Sequence, residues 1–120
     1  MNAYNARTCK ELSNNVTVAD SLLKRMKGLL GRKEILEGEA LLIKPCMSIH
    51  TFLMQFPIDV VFLNKKNRVI AVNKTLQPNH VTGFHLKAAS VLELPAGTIE
   101  ATSTAVGDKI EIGSIIKRKE

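Results

Sequence analysis

The sequence is poor in aromatic residues, in cysteines and in long apolar runs. Its 120 residues include no tryptophan, one tyrosine and two cysteines. No apolar run approaches the roughly 20 residues that a helix needs to cross a bilayer, and the N-terminal residues lack the apolar core of an export signal. Two cysteines are too few for a disulfide scaffold. We therefore expect a cytoplasmic protein that is not in a membrane, with Cys9 and Cys46 as unbridged thiols.

The chain is basic, but its charges do not form the pattern of a nucleic-acid surface. The formal net charge is +6, and lysine and arginine are spread along the chain, with small clusters at residues 24–27, 65–68 and 117–119. Without tryptophan, and with one tyrosine, there is no aromatic platform on which bases could stack. Solvated faces explain these charges better, so the composition argues against nucleic-acid binding.

The apolar pattern predicts a mainly β (α+β) fold. The length favours a single domain over residues 1–120, and 45% apolar residues suffice for one core. Short apolar runs recur at roughly ten-residue spacing, which favours a compact antiparallel β-barrel or a jelly-roll-like sandwich. The predicted strands cover residues 4–10, 16–18, 39–44, 58–63, 68–76, 90–94 and 109–112, and residues 49–54 are predicted to be extended chain.

Two segments predict helices, and one predicts a long loop. Asp20 is a good N-cap for an amphipathic helix over residues 21–30, where leucines and a methionine recur at helical spacing. Residues 98–104 predict a shorter helix, weakened by three threonines. Residues 78–87 form the longest irregular segment, and we expect them to make a loop at the rim of the fold.

Three phrases of the sequence occur in a characteristic order. They are Arg25-x-x-Gly28-Leu29-x-x-Arg32, Pro57-Ile58-Asp59-Val60-Val61-Phe62 and Leu92-Glu93-Leu94-Pro95-Ala96-Gly97, the last followed by Gly107-Asp108. Together they resemble the uncharacterised family called domain of unknown function 192, over about residues 16–112. The resemblance implies a compact β-barrel or jelly-roll-like domain with a helix packed on it. It implies no reaction.

Cys46, His50 and Met54 recur every four residues and carry donors suited to Cu(I) or zinc. Two prolines and several β-prone residues favour an extended chain here, in which residues four apart are separated by ~13 Å. That distance is too long for one ion or for a Cys–His nucleophile pair. We therefore predict no metal site and no cofactor, with the two sulfur residues in the core and the role of His50 left open.

Asp59 and Glu93 are acids embedded in apolar strands, where an ionised carboxylate must be paired or hydrogen-bonded. On a structural interpretation they bind backbone N–H groups or an arginine. We expect Arg25 to hold Asp59, or failing that backbone N–H groups or His50. On a functional interpretation the two acids form a polar patch in the mouth of a barrel.

These residues leave three classes of function open. The first is a domain that binds a small polar ligand in a cleft near Asp59, His50 and Glu93, with Arg25 as a further ligand-binding residue. The second is a hydrolase-like enzyme that uses the two carboxylates. The third is an interaction module for an anionic polymer. A monomer is the expected state, although the sequence fixes neither the oligomeric state nor the ligand.

Overall fold

The computed structural model describes residues 1–19, 35–52 and 54–113. Eight strands lie in this part of the chain: β1 (Asn2–Asn5), β2 (Lys10–Ser13), β3 (Asn15–Ala19), β4 (Glu39–Ile43), β5 (Ile58–Leu63), β6 (Val69–Leu76), β7 (Ser90–Pro95) and β8 (Ile110–Gly113). The helix α1 (Thr98–Thr102) lies between β7 and β8. None of the described helices is long and apolar enough to cross a membrane.

The strands form two sheets that give a sandwich-like β fold. The small sheet has the order β2-β1-β8, and the large sheet has the order β3-β4-β7-β5-β6. Neither sheet closes on itself within the described strands, so the sandwich alternative is confirmed and the closed barrel is wrong. The described strand pairs are antiparallel, as expected, except that β3 and β4 pair in parallel. A parallel pair needs a crossover connection of a dozen or more residues, and residues 20–38 separate these two strands.

Both faces of the large sheet are covered, and each carries its own apolar cluster. On one face, called here the small-sheet face, residues of β4, β5 and β7 pack against β1, β2, β8 and α1; the cluster includes Leu42, Val61, Leu63, Leu92, Leu94, Ala3, Leu12, Ile99 and Ile110. On the other, called here the loop face, the same strands pack against irregular chain; this cluster includes Leu41, Ile43, Ile58, Val60, Phe62, Val91, Ile49, Met54, Phe56 and Ala88.

Burial on both faces explains why β5 is an almost unbroken apolar run. All six of its residues are buried, and side chains of a strand point alternately to the two faces of the sheet. Each fully buried aliphatic or aromatic side chain stabilises the fold by ~1.5–3 kcal/mol relative to leaving it in water. Asp59 is the one polar residue in this strand, and its placement therefore needs a specific explanation.

The predicted strands at residues 39–44, 58–63, 68–76 and 90–94 are confirmed as β4 to β7. One predicted strand is wrong. Residues 4–10 are split between β1 and β2 by a turn in which Cys9 has a left-handed φ of 58°. In the segment 49–54, the only described bridge joins His50 to Val81, and the N–H of Met54 donates to Thr51 across a turn.

Of the two predicted helices, the longer one at residues 21–30 lies outside the described residues. The shorter one is present as α1, but it ends at Thr102 rather than at residue 104. Ser103 follows in the left-handed conformation, with φ of 55°, and its N–H bonds back to the helix. A left-handed residue after the last turn is a common way for a helix to end.

A buried polar network joins the start of β8 to the end of β1. The Asp108 carboxylate accepts hydrogen bonds from Arg7 Nε at 2.5 Å, from Asn5 Nδ2 at 2.9 Å and from the Ala105 N–H at 2.8 Å. Asn5 also donates to Thr104 Oγ1 at 3.1 Å. The hydrogen bond from Arg7 is the main cause that lowers the pKa of Asp108 to about 2, against the opposing effect of burial.

This lowered pKa predicts how stability depends on pH. Because the folded protein holds Asp108 ionised more readily than the unfolded chain does, the stabilisation is complete above the ordinary pKa of 3.8. It is lost as the pH falls from there towards about 2. Urea unfolding of wild type and Asp108→Asn should therefore differ by roughly 1–2 kcal/mol at neutral pH and converge in strong acid.

Glu100→Gln is the control for this experiment, because Glu100 is exposed and its ion-pair partner within the described ranges, Lys74 at 3.0 Å, is exposed as well. It should change the free energy of unfolding by less than ~0.5 kcal/mol at any pH. A difference between wild type and Asp108→Asn that stayed constant between pH 7 and pH 2 would contradict the assignment.

Candidate functional site

Asp59 faces the space between the two sheets, where backbone N–H groups hold its carboxylate. Oδ1 accepts the N–H of Thr75 at 2.8 Å, and Oδ2 accepts the N–H of Gly97 at 3.1 Å and of Ile99 at 2.8 Å. The side chain is 1% exposed. The predicted partner Arg25 lies outside the described residues, and the second alternative, backbone N–H groups, accounts for both oxygens.

Each of these N–H groups lies where the regular hydrogen-bonding pattern fails. Between the pairs Ile58–Leu76 and Val60–Asn73, β5 advances by two residues and β6 by three, so β6 carries a bulge opposite Asp59. Thr75 lies in this bulge with φ of 51°, a conformation that β-branched residues rarely adopt. Asp59 therefore supplies an acceptor to a backbone N–H that the bulge displaces from the ladder.

The other two N–H groups belong to the first turn of α1, which has no intrahelical acceptors. The usual solution is a polar side chain at the N-cap. Here the N-cap is Gly97, which has φ of 97° and no side chain to offer. Asp59 provides the acceptor from the neighbouring strand instead. The carboxylate thus joins β5, the bulge of β6 and α1.

We expect Asp59→Ala to destabilise the fold by ~2–4 kcal/mol, because it leaves three backbone N–H groups without their acceptor in a buried position. Asp59→Asn should be intermediate, since it keeps one oxygen but turns an amide N–H₂ towards backbone donors. Chemical denaturation measures both changes. A loss below ~0.5 kcal/mol for Asp59→Ala would mean that these bonds do not stabilise the fold.

Asp59 and Glu93 do not share a cleft. In the register of β5 and β7, Asp59 lies opposite Leu94 and Val60 lies opposite Glu93. Leu94 belongs to the small-sheet face and Val60 to the loop face. Cross-strand neighbours point to the same side of a sheet, so the two carboxylates are on opposite faces. Glu93 itself is fully buried, between β4 and β5.

His50 lies away from Asp59, in the wall of a cavity at the loop face. This cavity has a volume of about 340 Å³ and is lined by Ile43, Pro45, Cys46, Met47, Ser48, Ile49, His50 and Phe84. The His50 ring is half-buried, stacks on Phe52 with 5.1 Å between ring centroids, and accepts the N–H of Phe52 at Nδ1. Of the predicted ligand-binding residues that the structure describes, His50 alone lines the cavity.

The segment 45–52 keeps its shape through hydrogen bonds to residues 77–89. The N–H of Thr82 donates to the Ile49 carbonyl at 2.9 Å, and the N–H of Ile49 donates to Thr82 Oγ1 at 3.0 Å. Thr51 Oγ1 donates to the Gln77 carbonyl at 2.6 Å, and its backbone N–H donates to the His80 carbonyl at 2.8 Å. The N–H of His85 donates to the Met47 carbonyl at 2.9 Å. Two irregular segments therefore fix each other and enclose the cavity.

The two sulfur-containing residues of this segment, Cys46 and Met54, lie in different environments. Met54 is buried in the loop-face core at 4% exposure, as predicted. Cys46 is only half-buried, lines the cavity, and donates its thiol hydrogen to the Ser48 carbonyl at 3.0 Å. No group of three or more histidine, cysteine and acidic side chains that could hold a metal ion occurs within the described ranges.

Sequence reasoning did not single out Phe84, although its ring forms part of the cavity wall. The signal available in the sequence was that Phe84 is a large apolar residue within the long irregular segment 78–87. What could not be read from the sequence is the register of this segment against residues 45–52, because side-chain hydrogen bonds such as the one between Ile49 and Thr82 set it.

The fold and the sequence phrases around Asp59 and Glu93 are those of a single protein family, and the description of that family states no activity. The chain belongs to the family described as "Uncharacterized ACR", domain of unknown function 192, which it matches over residues 4–112. This confirms the resemblance seen in the sequence. The match begins earlier than residue 16, since it includes part of β1 and the whole of β2.

Two archaeal relatives are similar over most of their length. A UPF0127 protein of Pyrococcus furiosus is 34% identical over 110 residues, which cover 89% of this chain and 94% of the relative. A UPF0127 protein of Pyrococcus horikoshii is 36% identical over 101 residues, which cover 80% and 85%. A crystal structure of a protein of unknown function from Novosphingobium aromaticivorans has the same fold, with a TM-score of 0.78 at 20% identity over 93% of this chain and 84% of that one.

Proposed function

We propose that this protein is a binding domain that takes a small molecule into the cavity beside His50. The observation that carries the proposal is a concave site, formed largely by two irregular segments, whose lining combines polar and apolar residues. Cys46, Ser48 and His50 line it, next to Ile43, Met47 and Phe84.

The size and the lining of the cavity support this proposal. A volume of about 340 Å³ lies in the range of small-molecule sites, roughly 300–1,000 Å³. Such sites are usually lined by apolar side chains, with a few polar groups that orient the ligand. We therefore keep the expectation of a small ligand with polar groups, and we add that it has an apolar part. Its proposed site is the cavity beside His50, not the surroundings of Asp59 and Glu93.

The geometry of the two acids disfavours the hydrolase-like alternative. General acid–base catalysis needs both carboxyl groups within reach of one substrate, and the carboxylates of Asp59 and Glu93 point to opposite faces of the large sheet. Asp59 in addition uses both oxygens to bind backbone N–H groups. The cavity at the loop face therefore supports a binding function better than the positions of Asp59 and Glu93 support hydrolysis.

A neutral fluorescent probe, N-phenyl-1-naphthylamine, tests the proposed site. We expect saturable binding to the wild type, with fluorescence enhancement, because the cavity offers an apolar surface of the right size. Ser48→Trp fills the cavity from its wall and should weaken binding by about tenfold or more. Titrations at constant protein concentration measure both affinities, and thermal melts check that Ser48→Trp is folded.

Ala101→Trp is the matched control. Ala101 lines a different and more polar cavity, which Glu11, Ser13 and Glu37 also line, so the added indole should leave probe binding unchanged. Equal affinities of wild type and folded Ser48→Trp, or an equal loss in Ala101→Trp, would contradict the location of the site.

A further inference from the structure

Exposed apolar side chains cluster around the mouth of the cavity. Eight large apolar side chains are exposed among the described residues, and five of them belong to the two segments that form the site: Met47, Phe52, Val81, Phe84 and Leu86. Phe84 and Met47 line the cavity itself. Phe52 stacks on His50, and Val81 pairs with it. Exposed apolar side chains that are concentrated in two neighbouring segments indicate a binding surface more often than scattered ones do.

A second concavity adjoins the first and is basic. It has a volume of about 640 Å³ and is lined by Pro45, Asn64, Lys65, Lys66, Leu86, Lys87, Ala88 and Ala89. Pro45 lines both concavities, so they share one wall residue. The apolar cavity thus neighbours a groove, called here the lysine groove, whose lining includes Lys65, Lys66, Lys87 and the exposed Leu86.

The charges of the lysine groove are not balanced within its own walls. Among the described residues, the linings of the two concavities include no aspartate or glutamate. In contrast, the exposed Lys74 on β6 pairs with Glu100 at 3.0 Å. The site therefore combines an apolar cavity with a field of one sign, and the chemistry that complements it is an apolar body with a negative head.

We propose that the ligand of this site is a free anionic amphiphile. Its apolar part occupies the cavity beside Phe84 and His50, and its carboxylate, phosphate or sulfonate group reaches the ammonium groups of Lys65 and Lys87 in the lysine groove. This assignment rests on the proposed binding function and adds the class of ligand to it. Hydrogen bonds from an ammonium to an anionic oxygen are stronger than neutral ones, so the head group decides the preference.

The shape of the site favours a dissolved molecule over a bilayer surface. Both parts of the site are concavities, with volumes of about 340 Å³ and about 640 Å³. A single molecule can therefore place its tail in one and its head group in the other, with the exposed side chains of Phe84 and Leu86 at their edges. A monomeric amphiphile therefore fits both concavities at once.

Three probes with the same tail test the head-group preference: octanoate, 1-octanol and octylammonium, each displacing N-phenyl-1-naphthylamine from the wild type. We expect octanoate to bind about three- to tenfold more tightly than 1-octanol, and octylammonium to bind most weakly. The preference for octanoate should shrink as the salt concentration rises, because the lysines are exposed and screened.

Lys87→Glu should abolish the preference for octanoate while leaving the affinity for 1-octanol within about twofold. Lys10→Glu is the matched control, since it changes the net charge equally at an exposed position on β2, and it should keep the preference. Equal binding of octanoate and 1-octanol, or equal effects of the two variants, would overturn the head-group assignment while leaving the proposed binding function intact.

The remaining outcomes separate this inference from the function on which it rests. If the neutral probe does not bind, the binding function itself is wrong. Sedimentation with vesicles of phosphatidylcholine, with and without phosphatidylglycerol, distinguishes the sources of the anion. Little protein in either pellet supports a free amphiphile. If the wild type sediments with the anionic vesicles and Lys87→Glu does not, the proposal of a free ligand is wrong and the site binds a membrane surface.

Discussion

The fold depends on satisfying one carboxylate between its sheets. Asp59 is buried in the strand that is apolar at every other position, and burial of an unpaired ion would cost several kcal/mol. Its two oxygens accept three backbone N–H groups, from the bulge of β6 and from the first turn of α1. Without Asp59, the N–H of the left-handed Thr75 and the N–H groups of Gly97 and Ile99 at the start of α1 would lose their acceptor. The acid and the two irregularities therefore require one another.

This constraint distinguishes the two faces of the large sheet. On the small-sheet face the polar groups bind one another: Asp59 holds α1, and Asp108 holds Arg7 and Asn5. On the loop face the covering layer includes irregular chain whose hydrogen bonds run from segment 45–52 to residues 77–89. Irregular segments do not pack as closely as a regular sheet, and the hollow between them is the cavity that His50 and Phe84 line.

Several parts of this arrangement could be predicted from the sequence, since they depend on local chemistry. The continuous apolar runs at 39–44 and 58–63 predict strands buried on both faces, and an acid inside such a run must find hydrogen-bond donors. The convergence of Asp59 and Glu93 could not be judged, because it depends on the register that places Leu94, rather than Glu93, opposite Asp59. The segment 49–54 was predicted as extended chain from its β-prone residues, but its neighbours could not be predicted. Its described residues belong to none of the named strands, and Thr51 and Thr82 bind it to another loop.

The same division explains why family membership does not specify the ligand. The fold is retained at 20% identity to the Novosphingobium protein, and a fold by itself is compatible with many functions. The hydrogen bonds around Asp59 come from backbone N–H groups, which any residue except proline at positions 75, 97 or 99 could supply if it adopted the same backbone conformation. The cavity and the lysine groove, in contrast, are made of side chains from irregular segments, where substitution costs the fold little. On the proposed binding function, residues such as Phe84 and Lys87 would determine the choice of ligand, which could then differ between proteins that share every strand.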